Sequence, residues 1–134
     1  MKNSLATIVG FIAASLTVYI FEALIGHQLF PFPEGANPMD MEWIKNNMNR
    51  IPTGAKVMVV IGHFMGIMAG MFIAGLISKT SLVPAYIVGG LMLAATVFNI
   101  IMLPKALWFS SSDIVLAVAG LWIGKSLAQR QLKI

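Results

Sequence analysis

The chain has 134 residues, of which 58% are hydrophobic and only 10% charged, against roughly 25% charged in an ordinary soluble domain. Only a membrane protein fits that balance, and so short a chain spread over several spans leaves no room for a soluble catalytic module. The net charge of +4 comes from nine basic residues set singly at the edges of apolar runs, which excludes nucleic acid as a partner, and the lack of cysteine removes disulfides, thiolate metal sites and thiol catalysis.

The first apolar run opens after Lys2 and continues from Leu5 to Ile25. It is longer than the apolar core of a signal peptide, so it reads as a retained first span over about 5–26. Ala6, Gly10 and Ala14 place small residues every fourth position, and Ser15, Tyr19, Glu22 and Gly26 align on a neighbouring face. Between residues 27 and 54 the composition turns to proline, glycine and asparagine, which marks an outer loop. Within it, Asn37 and Pro38 read as the N-cap and first residue of a short amphipathic helix, with Met41, Ile44, Met48 and Ile51 on one side. Two placements are open to that helix. It lies flat at the membrane interface with Trp43 at headgroup level, or it folds as a cap over the mouth of the bundle.

The second span, about 56–78, carries Gly62, Gly66, Gly70, Ala74 and Ser78, a small residue at every fourth position. In lipid, helices associate through close backbone approach, and small residues permit it. A row at this spacing drifts about 40° per step and winds roughly 160° over its length. One straight partner cannot cover it, so this helix is expected at the centre of the bundle, touching at least two others. The third span, about 82–103, is stopped by Pro104 and has Gly89 and Gly90 available for packing. The fourth, about 106–127, includes Asp113, and Ala117, Gly120 and Gly124 share its helical face, which turns the acid inward. The expected fold is therefore an all-α membrane protein, a single compact bundle of four transmembrane helices with a short amphipathic helix between spans one and two.

With the N-terminus in the cytoplasm, the inner side holds Lys2, Lys79, Lys125, Arg130 and Lys133 and no acid, while Lys45, Arg50, Lys56 and Lys105 lie outside. The inner lysines and arginines sit at the helix ends, where they weigh most, so both termini are expected inside. Measured from the nearest outer-side marker at about 1.5 Å per residue, Glu22 lies about 7 Å deep, His63 about 10 Å, Asn99 about 9 Å and Asp113 about 12 Å. Four polar side chains from four helices thus fall in one layer. Ionisable groups at such depth cost about 2.5–3.5 kcal/mol each on insertion scales, so they pair, face the interior or line water.

Plain packing roles compete for several of these residues. Asn99 with Thr96 reads as an interhelical hydrogen-bond pair, and His63 as a core histidine satisfied by Glu22 or Asp113. His27, Trp43 and Trp108 read as interfacial residues. The methionines, Met65, Met68, Met71 and Met92 among them, read as adaptable apolar filler. No glycine-rich phosphate loop, His-Glu-x-x-His helix or nucleophile elbow is present in the sequence, no cofactor is expected, and the identity of any metal stays open.

The stretch from Glu22 to His27, the run Pro31-Phe-Pro33-Glu-Gly35, the glycine-rich second span and the segment Leu103-Pro-x-x-Leu-Trp108 resemble a family of small four-span bacterial membrane proteins with no assigned activity. The resemblance implies four spans in a bacterial plasma membrane and no substrate; Asp113 stands outside the matching residues. The leading expectation is a non-enzymatic protein with a cation- or proton-responsive site of Glu22, His63, Asn99 and Asp113, surrounded by lipid and working as a homo-oligomer or as a subunit of a membrane assembly. The alternative is an accessory subunit that grips partner helices through its glycine row. A lipid-acting enzyme at the outer interface has the acids and the histidine, but no recognisable nucleophile.

Overall fold

The computed structural model describes residues 1–103 and 106–133. Four long helices are apolar enough to cross a membrane: α1 (Lys2–Leu29), α3 (Thr53–Ser78), α4 (Val83–Met102) and α5 (Leu107–Gln129). The short helix α2 (Met41–Asn46) lies between the first two, followed by a 3-10 turn over Met48–Arg50. The helix α3 packs against each of the other three long helices. Its central place follows from how little side chain it presents along the row that the sequence picks out.

The helix α1 follows that row along its length, and at Gly70 α4 joins it through Val88, so the row meets two partners as expected. The space a Cβ would take at Gly66 is occupied by Val18 and the Ala14 carbonyl, and at Gly70 by Ala14 and the Gly10 carbonyl. The approach is mutual: a Cβ at Gly10 would lie 2.8 Å from the Gly70 carbonyl oxygen, and one at Gly70 would lie 2.8 Å from that of Gly10. Towards the helix end, the Ser78 hydroxyl donates to Asn3 Oδ1 at 2.9 Å. A ridge of every fourth residue is inclined by about 26° to the helix axis, so a partner crossing at a matching tilt stays over it. Ala6, Gly10 and Ala14 are buried in this contact, as expected for two small-residue faces laid together.

The other faces of α3 meet α4 and α5 through different residues. Met71 is fully buried, and its sulfur fills the space beside both Gly89 of α4 and Gly124 of α5. Gly120 lets α5 close onto Phe64, and Gly75 closes onto Ala128. Gly90 differs from its neighbour: nothing lies within 4 Å of where its Cβ would be. Only Gly89 of that pair serves close packing.

Helix ends show where local chemistry departs from the sequence reading. Asn37 is not the N-cap of α2. Its carbonyl closes a turn onto the Asp40 N–H, and its Oδ1 accepts from Met39, so the chain is still turning through Pro38. Asp40 takes the cap, with Oδ1 accepting from the N–H groups of Glu42 and Trp43 at 3.0 and 3.2 Å. The α4 helix ends at Met102, and Leu103 is extended (φ −113°, ψ 139°), the backbone that a residue before proline prefers. Pro104, read as the stop of this span, and Lys105, the depth marker for Asn99 and Asp113, lie outside the described residues.

The loop folds back onto the bundle. Met48 and Ile51 are buried with Ala55, Val60 and Phe109, and Trp43 and Ile44 pack against that group. Of the two placements open to the amphipathic segment, the structure shows it folded onto the bundle through Ile44, Met48 and Ile51, with Met41 left exposed.

Candidate functional site

Glu22 stands on a segment of α1, Ile20–Ile25, wound as a π-helix, with the Gly26 N–H bonded to the Phe21 carbonyl. The i→i+5 bonding widens the turn and resets the register of the helix face. Counting at 3.6 residues per turn groups Glu22 and Gly26 with Ser15 and Tyr19. In the structure Ser15 and Tyr19 are exposed, whereas Gly26 is buried and Glu22 is turned toward α3. Nothing at the sequence level marks the π segment. Gly10, Ala14, Val18 and Glu22 all lie along the side of α1 that faces α3.

His63 rises from α3 between two glycines of the row, with 8% of its surface exposed, and Asp113 on α5 is fully buried. The imidazole bridges two acids. Its Nδ1 lies 2.7 Å from Asp113 Oδ1, and its Nε2 lies 3.3 Å from Glu22 Oε1. Three of the four residues picked out by depth therefore meet, one from each of three helices. Ala117, Gly120 and Gly124 are buried on the same face of α5 as Asp113, which is why this acid points inward.

Asn99 does not join that chain of contacts directly. The Thr96 hydroxyl donates to the Met92 carbonyl of its own helix at 3.0 Å, and among the described residues no hydrogen bond joins it to Asn99. Asn99 Oδ1 is buried without a hydrogen-bond partner among the described residues. It shares two cavities with Glu22. One, of about 310 Å³, lies under the loop and is walled by Phe32, Met48, Ile51 and Phe109. The other, of about 300 Å³, opens between α1 and α4 and also touches His63 and Thr96. Sequence reasoning finds the polar layer but not these spaces, since the cap that encloses the first is a tertiary contact.

The interfacial candidates lie on the loop side. The His27 ring sits 4.7 Å from that of Phe32, and Phe32 stacks on Trp43 at 6.3 Å. The Arg50 guanidinium lies 5.9 Å from the Trp43 ring, a cation–π contact. Trp108 stacks on Phe109 at 5.6 Å and is 44% exposed.

The arrangement has a definite chemistry. A carboxyl group faces each ring nitrogen, and the two nitrogens point away from one another, so one cation cannot touch both acids and the ring together. Among the described residues no group of three His, Asp or Glu side chains is placed to hold a metal ion. What the geometry permits is proton exchange. From a protonated Glu22, a neutral imidazole carrying its proton on Nδ1 and an ionised Asp113, one proton passes to Nε2 while the Nδ1 proton passes to Asp113. Glu22 is left ionised and Asp113 protonated, and the total charge is unchanged.

Four membrane-length apolar helices and a buried His-Asp-Glu cluster define a multi-pass membrane protein. Compared with known families, curated proteins and solved structures, the chain matches none.

Proposed function

We propose that this is a small, non-enzymatic membrane protein whose Glu22–His63–Asp113 unit takes up and passes on protons, as a transporter or as the ion-coupled subunit of a larger assembly. The observation that carries this reading is the single imidazole within 3.3 Å of two carboxyl groups from two other helices. A proton is favoured over a metal cation because the acids stand on opposite ring nitrogens. Glu22, with 34% of its side chain exposed, opens to both cavities and is the end that takes up protons from them, while Asp113 is the buried end. Asn99 lines the approach to Glu22.

The lysines and arginines set at the helix ends of one side support an orientation with both termini in the cytoplasm. The accessory-subunit alternative loses its proposed gripping surface, because α1 already covers the glycine row.

The test is proton flux in proteoliposomes that enclose a pH-sensitive dye, driven by a potassium diffusion potential. Glu22→Gln and Asp113→Asn should each reduce the flux at least tenfold while the protein stays folded. Flux equal to that of the native chain in both variants rejects the proposal.

A further inference from the structure

We infer that the cavity under the loop binds a small hydrophobic primary amine as its ammonium ion, with Glu22 and Asn99 accepting its N–H groups. The cavity, of about 310 Å³, falls within the range of small-molecule sites, roughly 300–1,000 Å³. Its walls are mainly apolar, with Phe32 and Phe109 among them, and its polar atoms are few. Such a space takes an apolar body carrying one polar end.

The nature of that end follows from what waits for it. Asn99 Oδ1 is a buried acceptor without a protein partner among the described residues, and leaving such an atom unsatisfied costs about 1–3 kcal/mol. Glu22 is a second acceptor whose charge-assisted bonds are stronger than neutral ones. Both call for a donor, and Glu22 disfavours an anion. Lys56 also lines the cavity, but among the described residues no lysine or arginine comes within 4 Å of Glu22. An aromatic amine would lay its ring along the apolar wall to which Phe32 and Phe109 belong and direct its ammonium to the carboxylate. The inference rests on the proposed site only in taking Glu22 as a carboxylate that faces the cavity.

The experiment uses the full chain in detergent and three matched probes: 2-phenylethylamine, 2-phenylethanol and 3-phenylpropanoate. Calorimetry should show saturable binding of the amine, at least tenfold tighter than either of the others. Glu22→Gln and Asn99→Leu, checked for helicity, should each weaken the amine at least tenfold, and Gly90→Ala, which meets nothing within 4 Å, should leave it within twofold. Equal binding of the alcohol or the carboxylate, no saturable binding of the amine, or amine affinity unchanged in both cavity variants would overturn the inference. If both variants misfold, the three-probe comparison on the native chain still decides. Amine binding with a proton flux indifferent to Glu22 and Asp113 defeats the relay alone; a sensitive flux without amine binding defeats this inference alone.

Discussion

At the scale of single residues, Asp113 and Glu22 are unequal partners of His63. Asp113 is fully buried and 2.7 Å from the ring, whereas Glu22 is a third exposed and 3.3 Å away. Deleting one member of a buried pair leaves an uncompensated polar group and typically costs about 3–5 kcal/mol. Asp113→Ala should therefore lower the thermal unfolding midpoint in detergent far more than Glu22→Ala, whose gap the cavities can fill with water. Equal losses would mean that burial does not rank the two contacts. Lys79 sets a separate test. It ends α3 in the left-handed region at φ 62°, with its N–H bonded to the Gly75 carbonyl. Glycine adopts that conformation without a Cβ clash. Lys79→Gly should raise stability by about 1 kcal/mol, read from the same unfolding curves.

Glu22, His63 and Asp113 were legible from sequence because polar residues in apolar runs are few and their depths can be counted. Asn99 was legible as a member of the layer but not in its bonding. Whether an amide finds a partner depends on a neighbouring rotamer, and Thr96 chose its own helix's carbonyl.

At the scale of elements, the contact between α1 and α3 depends on the absence of side chains. Gly70→Ala would put a Cβ 2.6 Å from that of Ala14 and 2.9 Å from Val88, so the helices must separate. Overpacking of this kind costs about 1–3 kcal/mol, and here the Gly10 carbonyl oxygen, 2.8 Å from the new Cβ, is a backbone obstacle as well. Gly90→Ala meets nothing within 4 Å and should gain up to about 1 kcal/mol of helix propensity. Unfolding midpoints moving in opposite directions are expected; a shared direction would contradict the packing described. The spacing of small residues announced a close contact, because periodicity is written in the chain. Which helix fills it was not, because the tilt of α1 is set by the whole bundle. The π segment was invisible for a related reason: no residue type demands it.

At the scale of the whole molecule, the loop is part of the bundle, with Met48 and Ile51 buried against α3 and α5. The four spans were readable from length and hydropathy. The choice between interface and cap was not, since an amphipathic face fits lipid and protein alike. The proposed topology can be tested directly, because the chain contains no cysteine. Asn46→Cys on the exposed loop should react with an impermeant maleimide in intact cells, and Gln129→Cys only after permeabilisation. The opposite pattern would invert the orientation.

The convergence of three helices on one imidazole carries the proton-relay proposal, and nitrogen-15 NMR of histidine-labelled protein addresses it most directly. His63 and His27 are the two histidines, so His27→Gln leaves one set of ring signals. Asp113→Asn should move chiefly the Nδ1 resonance of His63 and Glu22→Gln chiefly the Nε2 resonance. Ring signals unmoved by both substitutions would show that the acids do not share the imidazole, and the relay would have no path.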